Sequence, residues 1–187
     1  METKTVYFAE SNREATEATL NLTRARAQEL GIKNVVVAST SGETAVRAVD
    51  LLHESRVIVV THVAGMREAN TQEFSDHHRE LVESKGGTVL TTAHAFSGIS
   101  TAMRNKQNMY VLGAIIADTL RIFGQGTKVA CEIALMAADA GLIRTDEDVI
   151  AIGGSGHGAD TALVLRPVNS HRFFDLKVKE ILCKPHL

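Results

Sequence analysis

The chain has 187 residues and a formal net charge of −2, long enough for one sizeable α/β domain and without the basic excess that marks a nucleic-acid or membrane-surface partner. Apolar residues make up 44% and charged residues 22%, as in soluble globular proteins, and no apolar run approaches the roughly 20 residues that span a bilayer. Cys131 and Cys183 are too few and too far apart for a disulfide framework or a zinc motif. Met1-Glu2-Thr3-Lys4 runs straight into a strand-like segment with no signal-peptide region, so a reduced, cytoplasmic setting is expected. With no Trp, two Tyr, six Phe and two Pro, the composition favours a core of Ala, Val and Ile.

In chain order, Thr5–Phe8 reads as a short strand, and Ser11 stands three residues before Glu14 as a capping box for a helix ending at Gly31. Strand Val35–Ala38 runs into Ser39-Thr40-Ser41-Gly42-Glu43-Thr44 and a helix to about Ser55. Arg56–Thr61 is a near-continuous apolar strand, as expected when helices cover both faces of a sheet. A loop with His62, Gly65 and Met66 leads to a helix capped by Asn70 or Thr71 and ended by Gly86-Gly87. Thr88–Thr91 is the next strand, and Ala93–Asn105 reads as a long turn-rich segment. Gln107–Phe123 carries a helical apolar stripe, Gly124-Gln125-Gly126 breaks it, and Thr127–Ala140 is apolar nearly all round and should be deeply buried. Strand Val149–Gly153 meets a glycine-rich turn. Thr161–Val168 is another strand, which Pro167 suggests is an edge, and Lys177–Leu182 alternates as a last one.

This alternation predicts a mostly parallel sheet in a three-layer α/β/α sandwich, organised as a single domain over residues 1–187. The gap between Gly158 and Thr161 is too short for a crossover helix, so the strand from Thr161 should run antiparallel to its predecessor.

Ligands of open α/β sheets bind beyond the carboxyl ends of the strands. Ser39–Thr44 has the make-up of an anion cradle, with hydroxyls beside the free N–H groups of a helix start; an ordinary capping box of Thr40 and Glu43 is the competing reading. Gly153, Gly154, Ser155, Gly156, His157 and Gly158 allow a ligand close to the backbone, yet match neither the nucleotide P-loop nor the dinucleotide fingerprint. His62, His94 and His157 follow three different strands and suit hydrogen bonding to a ligand or loop, or zinc ligation. Asp160 fits a ligand contact or a turn residue. His77 and His78 fit the boundary of an apolar helix face, and Arg121 and Lys128 fit a solvated helix end or an anion contact. Cys131 should be inert, and no nucleophile elbow or carboxylate pair marks a reaction.

Four blocks carry a resemblance: residues 36–45 (Val-Val-Ala-Ser-Thr-Ser-Gly-Glu-Thr-Ala), 119–129, 132–143 and 156–165. Together they resemble the pyruvate kinase C-terminal domain, and over nearly the full length the chain is similar to the stand-alone archaeal family of such domains. The resemblance implies a core sheet of about five strands in order 3-2-1-4-5 with the last antiparallel. It also implies no pyruvate kinase activity, which lives in a separate barrel domain, and a bound flavin mononucleotide (FMN). Carried over by position, Ser39, Thr40, Ser41, Gly42 and Thr44 would hold the phosphate, and His62, Gly65, His94, Phe96 and the 153–158 turn would lie near the flavin ring. One departure stands out: Ala9-Glu10-Ser11-Asn12 follows the first strand where the family pattern has a Pro-Gly turn. A binding module for a phosphorylated ligand is the first functional expectation. A flavin-dependent or phospho-metabolite enzyme using the rim histidines is the second. A regulatory or structural subunit, with self-association, is the third.

Overall fold

The computed structural model describes residues 2–187; Met1, first residue of the expected domain, lies outside them. The elements are β1 (Val6–Phe8), α1 (Arg13–Leu30), β2 (Asn34–Ala38), α2 (Glu43–Leu51), β3 (Arg56–Val60), α3 (Asp76–Ser84), β4 (Thr88–Leu90), α4 (Ile99–Gln107), α5 (Leu112–Arg121), α6 (Gln125–Asp139), β5 (Val149–Gly153), β6 (Thr161–Arg166), a 3-10 turn (Ser170–Asp175) and β7 (Lys177–Pro185).

The strands form one sheet in the order β1-β7-β6-β5-β2-β3-β4. Its β4-β3-β2-β5-β6 portion reproduces the expected 3-2-1-4-5 order, and β6 is antiparallel to β5 as the short connection requires. The expected count of about five is nevertheless wrong: the sheet has seven strands, because β7 adds antiparallel to β6 and β1 adds parallel to β7. Pro167 therefore does not mark an edge; it lies just beyond β6, whose donors pair on both sides.

Two cores lie on opposite faces of this sheet. Strand side chains point alternately up and down, so neighbours in sequence enter different cores. Val35 and Val37 pack with Leu20, Ala45, Val49 and Val82 from α1, α2 and α3, whereas Val36 packs with Ala130, Cys131, Ala134 and Ala137 of α6. In β5, Ile150 and Ile152 join the first core, and Val149 and Ala151 the second. The expected helix Thr127–Ala140 is α6, buried on nearly every side because α5 and the 3-10 turn cover the face that the sheet does not.

Several boundaries moved. Asn12 rather than Ser11 caps α1, accepting from the Ala15 N–H, while Ser11 turns to Asp160. α3 starts only after Ser75, whose hydroxyl accepts from the His78 N–H, so Asn70 and Thr71 belong to the preceding loop. α4 occupies most of the segment expected to be turn-rich, and α5 begins five residues later than expected because Asn108, in the left-handed region, closes α4.

Candidate functional site

β2, β3, β4 and β5 run in one direction, so their carboxyl ends share one rim. β7 is antiparallel to β6 and β1 is parallel to β7, which brings the residues after β1 to the same rim.

The β2–α2 turn presents free hydrogen-bond donors on that rim. The cap of α2 is Gly42, which offers no side-chain acceptor, so the competing capping box of Thr40 and Glu43 does not form. The Ala45 N–H reaches Ser39 Oγ at 3.4 Å, but among the described residues the N–H groups of Gly42, Glu43 and Thr44 and the hydroxyls of Ser41 and Thr44 have no acceptor or donor in the protein. Orphan donors at a helix N-terminus are what an anion needs. Gly42 has φ 108°, and a Cβ there would collide with the His78 side chain. His78 Nδ1 donates to the Ser41 carbonyl at 2.8 Å and braces the turn from behind, a role that helix periodicity could not reveal.

The rim histidines part company. His62 follows β3; its Nδ1 donates to Glu73 Oε2 at 2.7 Å, and its Nε2 faces Thr40 Oγ1 at 3.4 Å. Glu73 is itself held by Arg67 Nε at 2.8 Å. Gln72 pins this loop by donating to the His62 carbonyl at 3.0 Å and accepting from the Phe74 N–H. His94, after β4, lies with its ring centroid 5.6 Å from that of His62, and its Nε2 accepts from the Val63 N–H. Burial pushes the His94 pKa below its ordinary value; Glu132 opposes this, and His62 and Lys128 reinforce it, leaving the imidazole neutral. His157 sits exposed at the tip of the 153–158 turn. Among the described residues no group of three His, Cys, Asp or Glu side chains could hold a metal ion.

The glycine turn connects β5 to β6. Gly153 lies where a Cβ would strike the Gly126 carbonyl oxygen, so this glycine lets α6 approach the sheet. Gly154 faces the Gly158 carbonyl, Gly158 faces Thr16, and Gly156 opens to solvent. Asp160 is fully buried: Oδ2 accepts from Ser11 Oγ and the Ser155 N–H, and Oδ1 from Thr161 Oγ1. It is a turn residue that ties the loops after β1 and β5 together. Gly65 is exposed with φ 78° in the β3–α3 loop. Phe96 is turned inward against Phe173, Ala117 and Leu135, and its N–H donates to Glu132 Oε1 at 2.8 Å.

Lys128 corrects a further expectation. It is no solvated helix end: it is 7% exposed and ion-paired with Glu132, one turn on along α6. A cavity of about 80 Å³ beside it is lined by Phe96, Ser97, Ser100, Arg104 and Arg121; another of about 320 Å³ is lined by Thr92, His94, Met136 and Asp139. Neither is lined by residues 39–44.

The mixed sheet between two helical layers defines an α/β protein of the pyruvate kinase C-terminal type. Residues 17–165 match the pyruvate kinase alpha/beta domain family, and the chain belongs to it. Similar solved structures include a pyruvate kinase from Cryptosporidium parvum, 12% identical over 82% of this chain and 23% of that one, with a TM-score of 0.41. A Cryptosporidium parvum pyruvate kinase in complex with ADP is 16% identical over 82% of this chain and 24% of that one, with a TM-score of 0.40. An O-ureido-L-serine synthase is 17% identical over 60% of this chain and 30% of that one, with a TM-score of 0.30. The chain thus spans about a quarter of the length of the pyruvate kinases it matches. No helix among the described residues is long and apolar enough to cross a membrane.

Proposed function

We propose that this protein binds a small phosphorylated ligand at the carboxyl rim of its sheet, with FMN as the specific ligand, its phosphate on the β2–α2 turn. The observation that carries this reading is the uncapped start of α2: three orphan N–H groups and two unengaged hydroxyls on one shelf, braced by His78. A phosphate seated there gains charge-assisted hydrogen bonds worth about 1.5–3 kcal/mol each. Asp160 and Phe96, whose polar atoms and ring are already committed inside the protein, act as supports; Ser39, Thr40, Ser41, Gly42 and Thr44 hold the phosphate, and His62, His94 and the tip of the 153–158 turn border the rest of the ligand.

The experiment is a fluorescence titration of the purified protein with FMN and with riboflavin, which differ only by the phosphate. FMN is expected to bind at least about 100-fold more tightly, the equivalent of two such hydrogen bonds at the lower end of their range. Equal binding of the two, or binding of neither, would remove the basis of the reading. The four resembling blocks also support placing the chain with archaeal members of its family, working in the cytoplasm. The exposed Leu112 and Ile115 on α5, with Ile122 just after it, support self-association.

A further inference from the structure

The proposed phosphate shelf has a charge problem. Several cations on the surrounding elements already face a carboxylate: Lys128 faces Glu132, Arg67 faces Glu73, Arg47 faces Glu17 and Arg79 faces Glu83. Glu43, in the first turn of α2, adds an exposed negative charge. A phosphate monoester dianion on these neutral donors would gain from a positive side chain beside it. Some group has to supply the charge, and three imidazoles are within reach of the surrounding loops.

Two of them are occupied. His94 spends Nε2 on the Val63 N–H, and a proton there would break that bond. His78 donates to the Ser41 carbonyl, which in a trans peptide points opposite to the Gly42 N–H, so it sits behind the turn. His62 differs from both. Its Nδ1–H is fixed on Glu73, the carboxylate that best stabilises an imidazolium, and its Nε2 faces the shelf through Thr40 Oγ1. The groups facing His62 are Glu73 and Arg67 from the β3–α3 loop, His94 from the segment after β4, and, beyond His94, Lys128 and Glu132 of α6. These form two cancelling ion pairs and one neutral imidazole.

We propose that His62 is the cationic wall of the phosphate site: it takes up one proton from solvent as a phosphate monoester dianion binds and donates its Nε2–H to a phosphate oxygen, with Glu73 as the positioning residue. Thr40, released from Nε2, turns its hydroxyl to the same anion. The site thereby selects dianionic monoesters, because a phosphodiester with one charge gains less from the imidazolium. This inference rests on the phosphate reading of the β2–α2 turn.

Isothermal titration calorimetry of the full chain with FMN, in phosphate-free buffers of different ionisation enthalpy, counts the protons taken up. At about pH 8 the phosphate of FMN is already a dianion, so any proton taken up enters the protein. The expected result is close to one proton per FMN and none per riboflavin. His62→Gln should abolish the uptake and weaken FMN about 10- to 100-fold, the value of one charge-assisted hydrogen bond, leaving riboflavin unchanged. Glu73→Gln should lower both effects partly. If His62→Gln binds FMN as tightly as the parent, or the uptake persists in it, His62 is not the cationic wall while the phosphate site stands. If the parent protein binds FMN no better than riboflavin, the phosphate site itself is lost and this inference with it. A readout free of ligand is the ¹⁵N spectrum of His62: a proton on Nδ1 supports the geometry, and a neutral ring protonated on Nε2 overturns it.

Discussion

Gly42 is the residue whose replacement separates the backbone demand of the β2–α2 turn from its packing. It has φ 108°, and an added Cβ would meet the Cβ, Cγ and Nδ1 atoms of His78. Gly31 provides the control, because its φ of 67° makes the same kind of conformational demand while an added Cβ meets nothing within 4 Å. Forcing an L side chain into the left-handed region costs about 1–2 kcal/mol, so Gly31→Ala should destabilise by that amount. Gly42→Ala adds overpacking worth about 1–3 kcal/mol, for a total of about 2–5 kcal/mol. Since the clash involves His78 Cβ rather than the far end of a flexible chain, the turn itself must shift, and the orphan N–H groups shift with it. Urea unfolding of the two variants measures the difference, and an FMN titration of Gly42→Ala measures the displacement of the shelf. Equal destabilisation by the two substitutions, with FMN affinity kept, would refute the packing of α3 against the turn and its role in shaping the site.

Other outcomes follow from the buried charges. The folded pKa of His94 lies below its unfolded value of about 6.5, so below that pH the unfolded chain binds more protons than the folded one and stability falls. The parent should therefore lose more stability between about pH 7.5 and pH 5.5 than His94→Gln does, as read from urea midpoints. Lys128→Met leaves Glu132 buried without its partner and should destabilise by about 3–5 kcal/mol, with little recovery in high salt. Burial pushes the Cys131 thiol up to about 12, so it should resist a thiol reagent in the native state and react in urea.

The reversed direction of β6 was legible because it follows from a local fact, a connection too short for a crossover, whereas the order of the central strands was carried by the resemblance of four sequence blocks to the pyruvate kinase C-terminal domain. β7 and β1 were legible as strands, but their place at the end of the sheet depends on pairings across the whole chain, such as Val6 with Cys183. α4 was missed because Ile99–Gln107 is polar with no buried residue, so no apolar stripe announces it. Around Ser39–Thr44 the local structure was readable because strand, hydroxyls, glycine and helix start are contiguous. Glu73, Gln72 and His78 were not, since each acts on a residue 10 or more positions away. Lys128 was misjudged for a related reason: adjacency to Gly124–Gly126 suggests an exposed end, whereas Gly126 is what lets the start of α6 press against Asp160 and Thr161. Asp160 and Phe96 show the converse, residues in the loops that follow rim strands whose side chains face inward.

The central claim is that the start of α2 grips a phosphate. A crystal structure of the protein with FMN tests it most directly. The account predicts the phosphorus atom over the β2–α2 turn, with its oxygens within hydrogen-bonding distance of the N–H groups of Gly42, Glu43 and Thr44. A phosphate found elsewhere, with those N–H groups facing water, would contradict it.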